Sequence, residues 1–91
     1  MSGRITPQCG TDLALDFGRG VRTYRQYLGM TIVQLSGESG VSIGAISTME
    51  HAEHAEHGAT LKNAIAVSRV LGKSIEELIK LGQEVNRKCR R

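Results

Sequence analysis

A chain of 91 residues with 12 basic and 9 acidic side chains carries a formal net charge of +3. This length supports one small hydrophobic core, leaves little room for an active-site cavity, and includes no run of the ~20 apolar residues that a membrane span needs. The N-terminus shows no basic-then-apolar signal sequence, so we expect a cytoplasmic protein without a membrane partner, with Cys9 and Cys89 as free thiols. The positive charge favours an anionic partner.

The spacing of apolar residues predicts an all-α domain over residues 12–82, between a flexible N-terminal arm (residues 1–11) and a basic C-terminal tail (residues 83–91). The first helix is predicted to begin near Asp12 and to end before Gly29, a C-cap. Its apolar side chains recur at steps of three and four residues and predict one inward face, formed by Leu13, Phe17, Val21, Tyr24 and Leu28.

Capping residues predict the second and third helices. Thr31 and Gln34 have the spacing of a capping box, in which each side chain accepts from the backbone N–H of the other residue. Gly40 is predicted to end the second helix in the left-handed conformation that glycine adopts at little cost. Ser42 then caps the third helix, which ends near Glu50.

Two further helices follow by the same reasoning. Thr60 is expected to begin the fourth helix and Gly72 to end it, while Ser74 and Glu77 form a second capping box. We expect the fifth helix to end at Gly82. The apolar face predicted for the fourth helix consists of Leu61, Ala64, Val67, Ser68 and Leu71.

Residues 31–50 have the pattern of a helix-turn-helix, in which a tight turn holds the second helix at an angle suited to the DNA major groove. This motif needs a small residue where the helices meet, a glycine and an apolar plug in the turn, and apolar anchors on the second helix. The residues that meet these needs are Ser36, Gly40, Val41, Ile46 and Met49.

The chain resembles the phage repressor and Cro family, also called the XRE-type family, in two segments that occur in the family's order. The first is GMTIVQLSGESGVSIGAISTME (residues 29–50), and the second is TLKNAIAVSRVLGKSIEELI (residues 60–79). The similarity covers about residues 16–81 of the chain. It implies a compact five-helix bundle, a lambda-repressor-like domain with double-stranded DNA as its partner.

The resemblance also implies roles for individual residues. Thr31 and Ile32 match positions near the DNA backbone, and Lys62 matches a position that contacts phosphate. Arg25 and Glu50 match a pair that forms a buried ion pair between the first and third helices in some relatives. The positions that match the groove-facing side of the recognition helix are Ser42, Ile43, Gly44, Ser47 and Thr48.

Two features depart from the family pattern. The groove-facing side chains are short, whereas direct readout favours long bidentate groups, so readout through water or DNA shape is expected to contribute. Ser39 and Lys73 occupy positions that are usually apolar in relatives.

The segment HAEHAEHG, residues 51–58, is longer than the family's usual turn at this place. Its histidines, His51, His54 and His57, lie three residues apart and would share one face of a continued helix. A zinc, nickel or copper site, a solvated extension of the recognition helix and a pH-sensitive loop all remain open. The solvated extension is favoured, and no metal or other cofactor is expected.

These observations predict a sequence-specific transcriptional regulator, a repressor that binds an inverted-repeat operator as a dimer through the recognition helix at residues 42–50. The dimer surface is expected on the fifth helix and the residues after it, and a partner regulator protein can supply the signal. The alternative is a protein-interaction module, an antirepressor or adaptor without base-specific reading. An enzyme is not expected, because no catalytic triad, phosphate loop or metalloprotease motif is present.

Overall fold

The computed structural model describes residues 13–51 and 60–87, and these residues form five α-helices and no strand. The predicted all-α five-helix fold is thereby confirmed. The helices are α1 (Leu13–Tyr27), α2 (Ile32–Ser39), α3 (Ile43–His51), α4 (Leu61–Leu71) and α5 (Ile75–Arg87). Several residues discussed above lie outside the described residues, namely Cys9, His54, His57 and Cys89.

Helices α2 and α4 begin and end at the predicted capping residues, and α5 begins at its predicted capping box. Thr31 Oγ accepts from the Gln34 backbone N–H at 3.0 Å, and the Gln34 side chain accepts from the Thr31 N–H at 2.8 Å. Ser74 and Glu77 form the second capping box in the same way. Gly40 ends α2 at a φ of 79°, a conformation that a side chain would strain. These local signals therefore determine where the chain turns.

The core forms where the five helices meet. Val21, Leu35, Ile46 and Val67 are fully buried there, and each comes from a different helix among α1 to α4. Leu78 contributes the buried side chain of α5. Burying these aliphatic side chains supplies the main favourable free energy of folding.

Three buried glycines let α1 approach α3 and α5 closely. A Cβ added to Gly18 would lie 1.9 Å from the Met49 carbonyl oxygen, and one added to Gly20 would lie 1.8 Å from that of Leu78. On α5, a Cβ at Gly82 would lie 1.8 Å from the carbonyl oxygen of Asp16. The backbones therefore touch at these three places, and any side chain would push the helices apart.

The prediction that Gly82 ends the fifth helix is wrong, because α5 continues to Arg87. Gly82 is helical and buried against α1, so its small size serves packing rather than termination. Residues 83–87, assigned by sequence to the tail, continue this helix.

The predicted apolar faces also need correction at their ends. Leu13, Leu28 and Leu61 are exposed by 57%, 45% and 73% respectively, although the spacing placed them inward. On α1 the inward positions are occupied instead by Leu15, the glycines and Arg25. None of the described helices combines the length and the apolar character that crossing a membrane requires.

Candidate nucleic-acid interface

The turn between α2 and α3 is held by backbone hydrogen bonds and one hydroxyl group. The Gly40 N–H donates to the Ser36 carbonyl oxygen at 2.9 Å, and the Val41 N–H donates to Ser39 Oγ at 3.1 Å. The Val41 side chain is buried in the core, as the helix-turn-helix pattern predicts. Ser39 therefore suits a position that is usually apolar, because its hydroxyl satisfies a backbone donor within the turn.

One face of α3 is anchored to the body of the protein. Ile46 and Met49 are buried in the core, and Met49 contributes the backbone carbonyl that touches Gly18 on α1. Glu50 is also buried. These contacts hold α3 at a fixed angle, which a helix that enters a DNA groove requires.

A buried ion pair joins α1 to the end of α3. Arg25 Nε donates to Glu50 Oε2 at 2.8 Å and Arg25 Nη2 donates to Oε1 at 2.9 Å, which is a bidentate arrangement. Arg25 Nη1 also donates to the Met30 carbonyl oxygen at 2.8 Å, in the loop before α2. The hydrogen bonds to Glu50 raise the pKa of Arg25 above its ordinary value. The pair between these two residues, implied by the family resemblance, is present.

The opposite face of α3, together with the capping residue before the helix, faces solvent. Ser42, Ile43, Gly44 and Thr48 are exposed, and Ser47 is half-buried. Ser42 is partly committed to capping, since its Oγ accepts from the Ala45 N–H at 3.1 Å. The exposed surface offers small hydroxyl groups, which donate and accept hydrogen bonds, and one aliphatic group, Ile43, able to contact a thymine methyl.

The N-termini of α2 and α4 carry the other predicted DNA contacts. Thr31 and Lys62 are exposed, whereas Ile32 is half-buried and packs against the core. For Ile32, the group suited to a phosphate is therefore its backbone N–H, which by α-helix geometry has no acceptor within the helix. Lys62 lies in the first turn of α4, where its charge adds to the positive end of the helix dipole.

One exposed apolar residue near this surface was not predicted. Val33, in the first turn of α2, has 64% of its surface exposed. Its position between the inward Ile32 and Leu35 places it on the outer side of a helix, so helical periodicity alone was sufficient to find it.

The histidine segment is described only at its first residue. His51 ends α3, is exposed, and its Nδ1 lies 2.9 Å from the Ser47 carbonyl oxygen, to which it donates. Within residues 13–51 and 60–87, no group of three potential ligands is arranged to hold a metal ion. The metal hypothesis also required His54 and His57, which lie outside these ranges, and stays untested.

Lys73 has an aromatic partner. Its ammonium nitrogen lies 5.4 Å from the centre of the Tyr24 ring, and Tyr24 stacks on Tyr27 with 5.7 Å between ring centres. A cation is accommodated at this position because its charge meets a π face.

Comparison with known proteins agrees with this geometry. A family model described as helix-turn-helix matches residues 21–78, more than half of the chain. The match begins in α1 and includes α2, α3, α4 and the first turn of α5. No curated protein and no solved structure matches the chain significantly.

Proposed function

The chain belongs to the XRE-type helix-turn-helix family of DNA-binding regulators, and from this premise we propose that it is a repressor that binds an inverted-repeat operator as a dimer. A small domain seated on an operator excludes other proteins from the same DNA, which is the reason for proposing repression. Such a regulator acts where the DNA lies, and we place it in the cytoplasm.

The observation that carries this proposal is the contrast between the two faces of α3. Its inner face is fixed by Ile46, Met49 and the Arg25–Glu50 pair, while its outer face is exposed. A helix that is rigidly held on one face and open to solvent on the other is suited to base reading. We assign direct base contacts to Ile43, Gly44, Ser47 and Thr48, with Ser42 at the groove edge.

Phosphate contacts are assigned to the starts of two other helices. Thr31 and the backbone N–H of Ile32 lie at the positive end of α2, and Lys62 lies at that of α4. Such contacts set the position of a protein on the duplex and supply affinity, while the contacts of α3 supply sequence preference.

The dimer is proposed because the exposed face of α3 is small. The exposed face of α3 reaches only a few base pairs, so a second copy on a half-site about one helical turn (~34 Å) away is needed for specific binding.

A protein-interaction module is the second candidate. The exposed residues of α3 favour it, because none of them has the long bidentate side chain of Arg, Asn or Gln.

Fluorescence anisotropy with random duplex DNA separates the two candidates. Between about 50 mM and about 200 mM salt, a DNA-binding protein loses affinity steeply, because each phosphate contact releases counterions. We expect Lys62→Ala to reduce the log–log slope by about one unit. Lys80→Ala, the same charge change on the exposed side of α5, serves as the matched control and should leave the slope unchanged. No binding at low salt favours the interaction module.

A further inference from the structure

A pocket with aromatic, aliphatic and cationic walls lies between the end of α1, the connection from α4 to α5 and the middle of α5. Its volume is about 370 Å³, within the range of small-molecule sites. The residues that line it are Thr23, Tyr24, Tyr27, Lys73 and Leu81. None of them is acidic, and none is among the residues assigned above to bases or phosphates.

The two tyrosines present ring surface to this pocket. Tyr24 and Tyr27 lie about one turn apart on α1, with 5.7 Å between their ring centres and 26° between their ring planes. Tyr27 has 79% of its surface exposed, so its ring is open to a ligand. Planar aromatic groups pack favourably on such rings in offset-stacked arrangements.

Lys73 brings a positive charge to the same pocket. Its ammonium nitrogen lies 5.4 Å from the centre of the Tyr24 ring. Glu77 is an acidic neighbour whose pKa the Lys73 charge helps to lower, but its carboxylate accepts from the Ser74 backbone N–H and does not line the pocket. The charge of Lys73 is therefore available to an anionic group inside the pocket.

The backbone on both sides of Lys73 is fixed by hydrogen bonds. Gly72 ends α4 with a φ of 73°, and the Lys73 N–H donates to the Ser68 carbonyl oxygen at 3.2 Å. The next residue, Ser74, forms the capping box of α5 with Glu77. The residue after the glycine in such a helix end commonly makes an apolar contact, and here it is a lysine held at an aromatic wall. A cation held in place in this way lowers the ordering cost of binding an anion.

We propose that this pocket binds a small planar aromatic acid, whose ring stacks on Tyr27 and whose carboxylate pairs with the Lys73 ammonium. The hydroxyl of Thr23 is a hydrogen-bond donor for the same ligand, and Leu81 gives the pocket an aliphatic wall. The inference goes beyond the proposed DNA-binding function and does not depend on it, because the two use different residues.

The chemistry of the lining residues selects this class of ligand. The one charged group in the pocket is positive, which favours an acid over an amine, and the two rings favour a planar group over an aliphatic one. Two other pockets on the described part of the chain lack this combination. One is lined by apolar side chains alone, and the other has Arg19 and Arg22 but no aromatic ring.

NMR titration of the full chain, labelled with ¹³C in its tyrosine rings, tests the proposal with benzoate as the probe. The chain contains two tyrosines and no tryptophan, so every labelled ring signal comes from this pocket. We expect both tyrosines to shift and to saturate with a Kd on the order of 1–10 mM, as suits a ligand of about nine non-hydrogen atoms.

Two ligands of nearly the same size separate the contributions of charge and ring. Benzamide keeps the planar ring without the charge, and cyclohexanecarboxylate keeps the charge without the aromatic ring. Each is expected to bind at least threefold more weakly than benzoate at the same ionic strength. This difference measures the pairing with Lys73 in one case and the stacking on Tyr27 in the other.

Variants assign the two contributions to their residues. Lys73→Met removes the charge and keeps a long side chain, so it should bind benzoate and benzamide equally, and Lys73→Arg should restore the preference for benzoate. Lys80→Met is the matched control on the exposed side of α5 and should keep the wild-type preference. Tyr27→Leu should weaken both ligands at least threefold. It should also fold, because Tyr27 is exposed at the end of α1.

Tyrosine signals that do not move in about 50 mM benzoate, or a Lys73→Met variant that still prefers benzoate to benzamide, overturn the proposal. Anisotropy with random duplex DNA keeps this result separate from the proposed function. A chain that binds benzoate through Lys73 and Tyr27 but binds no DNA retains this site and fails the proposed function.

Discussion

Arg25 on α1 and Glu50 at the end of α3 form two parallel hydrogen bonds of 2.8 and 2.9 Å in the protein interior. The third contact of Arg25, to the Met30 carbonyl oxygen, attaches the loop before α2 to the same side chain. One guanidinium group therefore links α1, the entry to the helix-turn-helix and the end of α3.

Removing one member of this pair should destabilise the fold strongly. Glu50→Leu leaves the Arg25 charge buried without its partner, for which the expected cost is about 3–5 kcal/mol in the free energy of unfolding. The double variant Arg25→Met, Glu50→Leu should recover much of that loss, because no buried charge remains. Urea unfolding of both single variants and the double variant measures the coupling. A loss below about 1 kcal/mol for Glu50→Leu contradicts a buried pair.

The buried glycines of α1 should not tolerate alanine, although alanine is the better helix former. At Gly18 the added methyl group meets the Met49 backbone carbonyl, which cannot rotate away, so α3 must shift. We expect Gly18→Ala to cost about 1–3 kcal/mol. Gly37→Ala is the matched control, because Gly37 lies in α2 with no heavy atom within 4 Å of its Cβ position. That variant should gain up to about 1 kcal/mol. Equal responses of the two variants to thermal unfolding contradict the close packing.

The helix boundaries were readable from sequence because each depends on a few neighbouring residues. Thr31, Gly40, Thr60 and Gly72 act through local backbone hydrogen bonds and φ angles, and all four cap helices as predicted. Gly82 was misread because glycine serves two purposes, termination and close packing. Only the packing of α5 against α1 distinguishes these two purposes, and that packing joins residues that are far apart in the sequence, Gly82 and Asp16.

The second capping box should make stability depend on pH in the acid range. A hydrogen bond from the Ser74 backbone N–H and the nearby charge of Lys73 lower the pKa of Glu77 below its ordinary value of 4.5. A carboxylate with a lowered folded-state pKa contributes stability that is present above pH 4.5 and is lost as the pH falls through the folded-state pKa.

Comparing melting temperatures at about pH 6 and about pH 3 checks this assignment. The difference between the wild type and Glu77→Gln should be largest at the higher pH and should shrink as Glu77 becomes protonated. Glu76→Gln is the control, because Glu76 is exposed and pairs with Lys80 only across 4.0 Å at the surface. A Glu77→Gln difference that stays constant over this range contradicts the lowered pKa.

The hydroxyl groups on the outer side of α3 should affect specific binding alone. Thr48→Ala is expected to weaken binding to the preferred operator by about 1–3 kcal/mol, because a lost base contact typically costs that much. Affinity for random DNA should change little, since phosphate contacts dominate it. Ser47→Ala should act in the same direction, and Thr23→Ala on α1 serves as the control. Equal losses on operator and random DNA in anisotropy titrations would remove both residues from the base-reading set.

Sequence reasoning predicted which positions of α3 are exposed better than it predicted which leucines elsewhere are exposed. The exposed positions of α3 follow from helical periodicity once the anchors Ile46 and Met49 are known. The exposure of Leu13 and Leu61 did not follow, because the spacing alone does not show where a helix face extends beyond its neighbours. Only the convergence of the starts of α1, α4 and α5 shows that these leucines border a groove.

Selection of bound sequences from a random duplex library tests the central claim, sequence-specific binding as a dimer, most directly. The expected result is a palindromic consensus with two short half-sites whose centres lie about one helical turn (~34 Å) apart. The enrichment should disappear when Thr48→Ala and Ser47→Ala are combined and should persist in Thr23→Ala. A library that shows no enrichment after repeated rounds, with binding equal on all sequences, would contradict the account.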